Sequence, residues 1–156
     1  LANLEREYSL TTKNRPMFSR PESRKNRWSL NDNYLQFWFR FIFPNQSLIE
    51  MGKYDLLREV IDRGYEQYSG LVLEKYFRSK IAEEERITGI GSYWNNKGEN
   101  EIDVIAINDL DKTAIVAEVK RNPKKIDMNI LQSKVHSVKE LAKYKVELQG
   151  LSLENM

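Results

Sequence analysis

Polar and apolar positions alternate most clearly between residues 101 and 120. Glu101-Ile102-Asp103-Val104-Ile105-Ala106-Ile107 and Ala114-Ile115-Val116-Ala117-Glu118-Val119-Lys120 are two β-branched runs flanking the polar break Asn108-Asp109-Leu110-Asp111-Lys112. This pattern predicts two strands joined by a tight turn. Folding about Leu110 and Asp111 sets Asp103 opposite Glu118. Strict alternation then places Glu101, Asp103, Glu118 and Lys120 on one common face.

Upstream, from Tyr54 to Glu84, Leu57, Ile61, Tyr65, Tyr68 and Val72 recur at three- and four-residue steps, the mark of a helix. Gly64 and Gly70 argue against its being unbroken. In its second half Leu71, Glu74, Phe77, Arg78 and Ile81 share a face, so Glu74 interrupts an apolar stripe. Ile87 to Trp94 alternates loosely as a first strand and leads into a turn at Asn95-Asn96-Lys97-Gly98. Downstream, Asp127 caps a helix predicted to run through Lys143, with Ile130, Leu131, Val135, Val138, Leu141 and Ala142 as its buried face. Val146 to Gln149 alternates as a final strand, which leaves the last part of the sheet edge-like or completed by another copy.

The first third of the chain has a different texture. A short helical hint at Leu1–Glu5 precedes Tyr8–Thr12, and Trp28-Ser29-Leu30 resumes an alternating pattern. Between Lys13 and Arg27 lie six basic residues, one acid and two prolines. Strand, basic loop and strand make a hairpin with a long tip, whose Arg20, Arg24, Lys25 and Arg27 could contact nucleic-acid phosphates. The same composition fits a solvated loop. Asn31-Asp32 is an N-cap for the stretch Tyr34–Phe43, which holds six aromatics in ten positions and only Gln36 and Arg40 as polar residues. Such a segment is buried nearly all round or packs on a partner domain. Pro44 is expected to end it, leaving a connector up to Gly52. The chain therefore divides into a basic hairpin (1–32), an aromatic-rich helical connector (33–56) and an α/β domain (57–156).

Composition narrows the function classes. A hydrophobic content of 40%, with 17 aromatics in 156 residues, supports one core, and a net charge of +2 confines any nucleic-acid contact to local patches. Without cysteine there is no disulfide, thiolate chemistry or cysteine zinc site. No apolar run is long enough to span a membrane and no signal-peptide pattern is present, so a cytoplasmic protein is expected. No Walker-type G-x-x-x-x-G-K-[ST] occurs, so no ATP site of that kind lies in this sequence. The first residue is Leu, and we expect a fragment.

Opposed carboxylates in a sheet repel and need compensation. A hard cation such as Mg²⁺ would provide it, with Lys120 positioned to stabilise charge on a phosphate. A structural ion pair at the rim of the sheet fits the same spacing. Arg121, Lys124 and Lys125 form a basic turn directly after Lys120. The one histidine, His136, has no metal-ligand partner in the pattern and reads as a surface or satisfied residue.

Asp103 followed by Glu118-Val119-Lys120 resembles the PD-(D/E)XK nuclease core. The resemblance implies an α/β fold with a restriction-endonuclease-like αβββαβ core, a mixed sheet flanked by helices. It implies Mg²⁺ or Mn²⁺ held by Asp103, Glu118 and the Val119 carbonyl, with Lys120 assisting the water. Glu74 and Glu101 would be outer acids, and Gln132 would point back at the site. The stretch Tyr34–Asn45, together with the two strands and Tyr93-Trp94, is similar to the C-terminal region of archaeal-type P-loop ATPases of archaea and bacteria, a domain of unknown function. That resemblance implies an ATPase domain as neighbour in the same full-length protein and a winged-helix remnant in the N-terminal hairpin. Three function classes stay open: a Mg²⁺-dependent nuclease acting on DNA, a non-catalytic DNA-contacting or regulatory domain of the ATPase, and a homo-oligomerisation module using the aromatic helix.

Overall fold

A four-stranded mixed sheet in the order β3-β4-β5-β6 organises the computed structural model: β3 (Gly89–Trp94), β4 (Glu101–Asn108), β5 (Thr113–Val119) and β6 (Lys145–Leu151). The structure describes residues 5–23, 25–95 and 100–156. The chain forms two compact units, one of residues 1–14 and 27–72 and the other of residues 15–26 and 73–156. Among the described residues no helix is long and apolar enough to cross a membrane.

In the second unit β3, β4 and β5 are antiparallel neighbours, and β6 joins β5 in parallel after a helical crossover. The hairpin register is the expected one, with Val104 opposite Ala117 and Ile105 opposite Val116. Its turn is fastened by Asn108, whose Oδ1 accepts the amides of Leu110 (2.9 Å) and Asp111 (3.0 Å). β4 and β5 are apolar on both faces because both are covered. On one face Val104, Ala106, Ala117 and Val119 meet Leu73, Phe77 and Ile81. On the other, Ile105, Ile107, Ala114 and Val116 meet Leu131, Val138, Leu141 and Tyr144.

The alternation is broken once. Gly91 pairs with Ile105 but Tyr93 with Ile102, so one residue of β3, Ser92, opposes two of β4, Asp103 and Val104. This bulge turns Ile102 to the same face as Ile105. The expectation of a single face for all four polar residues, which assumed strict alternation, does not survive it.

Helix α3 (Tyr54–Ala82) is continuous through both glycines. Its Leu73, Phe77 and Ile81 are buried, whereas Leu71, expected on that face, is 50% exposed. Helix α4 (Met128–Ser137) stops six residues early, at Val138, and Lys139–Lys143 is a 3₁₀ turn. The cause is spacing: Val138, Leu141 and Tyr144 are all buried at steps of three, a period the 3₁₀ helix satisfies and the α-helix does not. Ala142, past the end of α4, is exposed, and so is Ile130 in its first turn. The segment 15–26 is not merely solvated, for Pro16 is buried, Met17 and Phe18 pack on the core, and the Met17 amide donates to the Ser92 carbonyl at 2.8 Å. The hint at Leu1–Leu4 and the turn residues Asn96, Lys97 and Gly98 lie outside the described residues.

In the first unit β1 (Thr11–Asn14) and β2 (Arg27–Leu30) form an antiparallel pair. Asp32 caps α1 (Asn33–Phe37), accepting the Leu35 amide at 2.7 Å. The aromatic stretch does not end at Pro44. It widens into a π-helical turn (Trp38–Ile42), tightens to 3₁₀ (Phe43–Asn45) and continues as α2 (Gln46–Glu50). The wider turn lets the Phe43 amide reach the Trp38 carbonyl, and Asn45 Nδ2 serves the Phe41 carbonyl at 2.8 Å. Proline is thereby absorbed without stopping the chain. Burial all round is not found either: Phe41 is 2% exposed, but Tyr34, Phe39 and Phe43 are each more than half exposed.

Candidate functional site

The hairpin's open end lies in the second unit and carries the densest charge cluster described. Glu118, near the end of β5, is only 8% exposed because both neighbouring strands and the crossover helix surround it. Its Oε1 receives Lys120 Nζ at 2.8 Å and its Oε2 receives Lys134 Nζ at 2.9 Å. Asp103, on β4, accepts the Val119 amide at 2.8 Å through Oδ2, with Lys120 Nζ 3.6 Å away. Lys120 itself is anchored by its own amide, which donates to the Leu151 carbonyl at 3.0 Å. Glu74 approaches from α3, paired loosely with Arg78 at 4.0 Å.

These neighbours set the proton affinities. Burial pushes Glu74 up to about 7, reinforced by the charge of Asp103 and, less, of Glu101, with Arg78 and Lys120 opposing. Burial also raises Asp103, against the hydrogen bond from the Val119 amide and the Lys120 ammonium. For Glu118 burial acts in the same direction, but hydrogen bonds from Lys120 and Lys134 outweigh it and hold the carboxyl below its ordinary range. Lys120 is raised: desolvation works against its charge, and Glu118 and Asp103 more than restore it. One carboxyl is therefore poised near neutrality beside one firmly ionised, a separation typical of functional sites and also of structural ion networks.

The structure brings together Asp103, Glu118 and Lys120, with Glu74 near enough to feel Asp103 and Lys120 and Glu101 near enough for its charge to act on Glu74. It does not bring Gln132 to them. Gln132 is exposed and lines a separate cavity of about 280 Å³ with Val135, His136 and Tyr144. The residue of α4 that reaches the cluster is Lys134, which the sequence reading passed over. The signal was present, because Lys134 stands three residues after Leu131 and four before Val138, both buried, and so interrupts an apolar stripe as Glu74 does.

Of the basic residues, Arg121 is half-buried and Lys124 and Lys125 are exposed on a single 3₁₀ turn capped by Asn122. Arg20, Lys25 and Arg27 are exposed, and the Lys25 carbonyl accepts Trp94 Nε1 at 3.1 Å. Arg24 lies outside the described residues.

Among the described residues no three acidic or imidazole side chains are grouped so as to hold a metal ion by themselves. The donor chemistry nonetheless fits a hard cation. Two carboxylates and the Val119 carbonyl are all-oxygen, and Mg²⁺ commonly takes only one or two carboxylates and completes its shell with water and phosphate. The arrangement fits on one condition, that an ammonium gives up a Glu118 oxygen.

A mixed α/β domain with an acid–lysine cluster at one end of its sheet is the class defined so far. Residues 38–133 match the family of archaeal and bacterial proteins of unknown function, and the chain belongs to that family. An uncharacterized protein of Methanocaldococcus jannaschii is 38% identical over 143 residues, covering 83% of this chain and 32% of that protein. The chain thus spans about a third of the length of this relative. No solved structure is a significant match.

Proposed function

We propose that this domain is a nuclease-like module of the PD-(D/E)XK kind, hydrolysing phosphodiester bonds in DNA with Mg²⁺ or Mn²⁺. The observation that carries the reading is the convergence of Asp103 and Glu118 on one ammonium, Lys120 Nζ, at 3.6 and 2.8 Å. The α-β-β-β-α-β succession from α3 to β6 supports it. Asp103, Glu118 and the Val119 carbonyl would hold the ion, which would supply Lewis-acid stabilisation of charge on the phosphate. Lys120 orients the attacking water and balances charge at the scissile group. Glu74, with a proton affinity near neutral, holds or accepts a proton at its carboxyl as an outer acid; burial and then the charge of Asp103 keep that affinity high, and Glu101, the other outer acid, adds least. Arg121, Lys124 and Lys125 would contact flanking phosphates. We infer a P-loop ATPase domain as neighbour in the longer protein and a cytoplasmic setting, both resting on the resemblance of the Tyr34–Asn45 stretch and on composition.

A second reading, a non-catalytic regulatory or DNA-contacting domain, draws support from Glu118, whose two oxygens are already satisfied by ammonium groups. Calorimetric titration with Mn²⁺, followed by incubation with single-stranded, duplex and branched DNA, separates the two. Binding and cleavage that both vanish in Asp103→Asn support the nuclease. Absence of Mn²⁺ binding in the wild type sinks it and leaves the non-catalytic reading.

A further inference from the structure

Glu118 carries one ammonium on each carboxylate oxygen, and the two are not equivalent. Lys120 follows Glu118 on the same segment and spans both acids, 2.8 Å from Glu118 and 3.6 Å from Asp103. Lys134 comes from α4 and makes one described ion pair, 2.9 Å to Glu118 Oε2. Lys120 is attracted by Glu118, Asp103 and Glu74, and Lys134 by Glu118 and, more weakly, by the charge of Asp103, so releasing Lys134 gives up less. Exposure does not single Lys134 out, since it is 21% exposed and Lys120 38%; what does is that it reaches Glu118 from a different element, α4, on a flexible stem with a strongly solvated head.

Charge favours the exchange. Asp103 and Glu118, the two carboxylates that would hold the ion, are already matched by two ammonium groups, while Glu74, paired with Arg78, and Glu101 add negative charge beyond that pair. Adding a divalent cation to this group with both ammonium groups in place would crowd three cationic centres around two carboxylates, which a partly buried site penalises.

We propose that Lys134 is a positioning residue that holds Glu118 in place until a divalent cation takes Oε2, and is then released. The inference rests on the metal-dependent reading above and adds to it a specific exchange. The arrangement keeps Glu118 ionised and oriented between cation-binding events. It makes cation affinity a competition with an internal ammonium, and it frees a second cationic group beside the site when the competition is lost. A phosphate bound there would complete the balance, so cation and phosphate should bind with positive coupling.

The test uses the whole chain and two readouts. Amine acetylation followed by mass spectrometry reports the accessibility of Lys134 with and without saturating Mg²⁺, and Lys112, ion-paired with Asp109 at 3.1 Å on the hairpin turn, serves as internal control. Lys134 reactivity should rise several-fold with the cation while Lys112 stays constant. In parallel, Mn²⁺ calorimetry on Lys134→Met should show affinity raised about tenfold over wild type, and Lys134→Arg, which keeps the charge, should stay near wild type. Cation binding that leaves Lys134 protected, or that weakens in Lys134→Met, overturns the exchange and spares the metal-dependent reading. No Mn²⁺ binding by the wild type overturns both. The acetylation arm needs no variant, so a misfolded substitution does not blunt the test.

Discussion

Lys134 of α4 and Glu118 of β5, sixteen residues apart in sequence, meet at 2.9 Å at the open end of the hairpin. The contact ties the crossover helix to the strand it follows, and it leaves Glu118 with no free carboxylate oxygen. Such a pair stabilises chiefly by preventing the cost of its own breakage, because a buried charge without its partner is more expensive than the intact pair is favourable.

Replacing Glu118 by Ala therefore removes one acid and strands two ammonium groups. Lys120 retains Asp103 and is 38% exposed, so its share is screened by solvent. Lys134, at 21% exposure, bears more of the loss. We expect Glu118→Ala to lower stability by about 2–3 kcal/mol in urea denaturation with a chelator present. The double variant Glu118→Ala/Lys134→Met should recover part of it. A single variant as stable as wild type would show that the lysines contribute nothing to folding through this acid.

Glu74 gives the cluster a pH signature. Its carboxyl is raised from an ordinary 4.5 to about 7, first by burial and then by the charge of Asp103. Below 4.5 both folded and unfolded chains hold the proton, and there is no effect. Between these values the unfolded chain releases its proton first, so stability falls as pH rises, and above 7 the full penalty is present. Its ceiling is about 3 kcal/mol, and the residual solvent access of the side chain reduces it. Glu74→Gln should thus be within error of wild type at pH 4.5 and more stable by about 1–3 kcal/mol at pH 8. Denaturation at the two pH values checks this, and equal differences at both would mean that Glu74 is not held protonated by its surroundings.

Much of this region was legible because strands advertise themselves by alternation. The β4–β5 register followed from Ile, Val and Ala positions alone, and Glu74 was visible as a charge in an apolar stripe. The bulge in β4 was not legible, since no glycine or proline marks it within the strand and it arises from pairing with β3 across the sheet. The early end of α4 was hidden for a related reason: spacings of three and four both suit an amphipathic helix, and only the depth of burial of Val138, Leu141 and Tyr144 selects the tighter turn. The aromatic stretch left burial all round and packing on a partner domain both open, and only the first is decided, against it. Six aromatic rings suggest a buried helix, but Phe37 and Phe41 pack on Tyr68 at 5.7 and 5.8 Å while Tyr34 and Phe39 face out.

Asp127 caps the N-terminus of α4, the helix that carries Lys134. Asp127 Oδ1 accepts the amides of Asn129 at 2.9 Å and Ile130 at 3.2 Å. Asp127→Ala leaves these donors to water and should cost about 1 kcal/mol, whereas Asp127→Ser should cost only a few tenths, about the spread among good caps. Hydrogen exchange of the amides at 129 and 130 should accelerate in the alanine variant and not in the serine one. Unchanged exchange in both would show that sheet packing, through buried Leu131, holds the first turn without its cap.

The two glycines of α3 make opposite predictions. In an exposed helix interior, glycine to alanine gains about 1 kcal/mol by restricting the unfolded chain. Gly70 has nothing within 4 Å of where a Cβ would stand, so Gly70→Ala should stabilise by about 0.5–1 kcal/mol. At Gly64 the added carbon would lie 2.6 Å from Phe41 Cε1 and 3.2 Å from Cζ. The Phe41 ring cannot swing away, because it is 2% exposed and pinned edge-on against Tyr68. Gly64→Ala should therefore destabilise by about 1–3 kcal/mol despite its better helix propensity. The decisive control is Gly64→Ala combined with Phe41→Leu, in which a smaller side chain relieves the clash and the alanine should turn neutral or favourable relative to Phe41→Leu alone. If alanine at 64 stabilises the protein with Phe41 intact, the close approach of ring and helix described here is wrong, and the glycine is there for some reason other than making room.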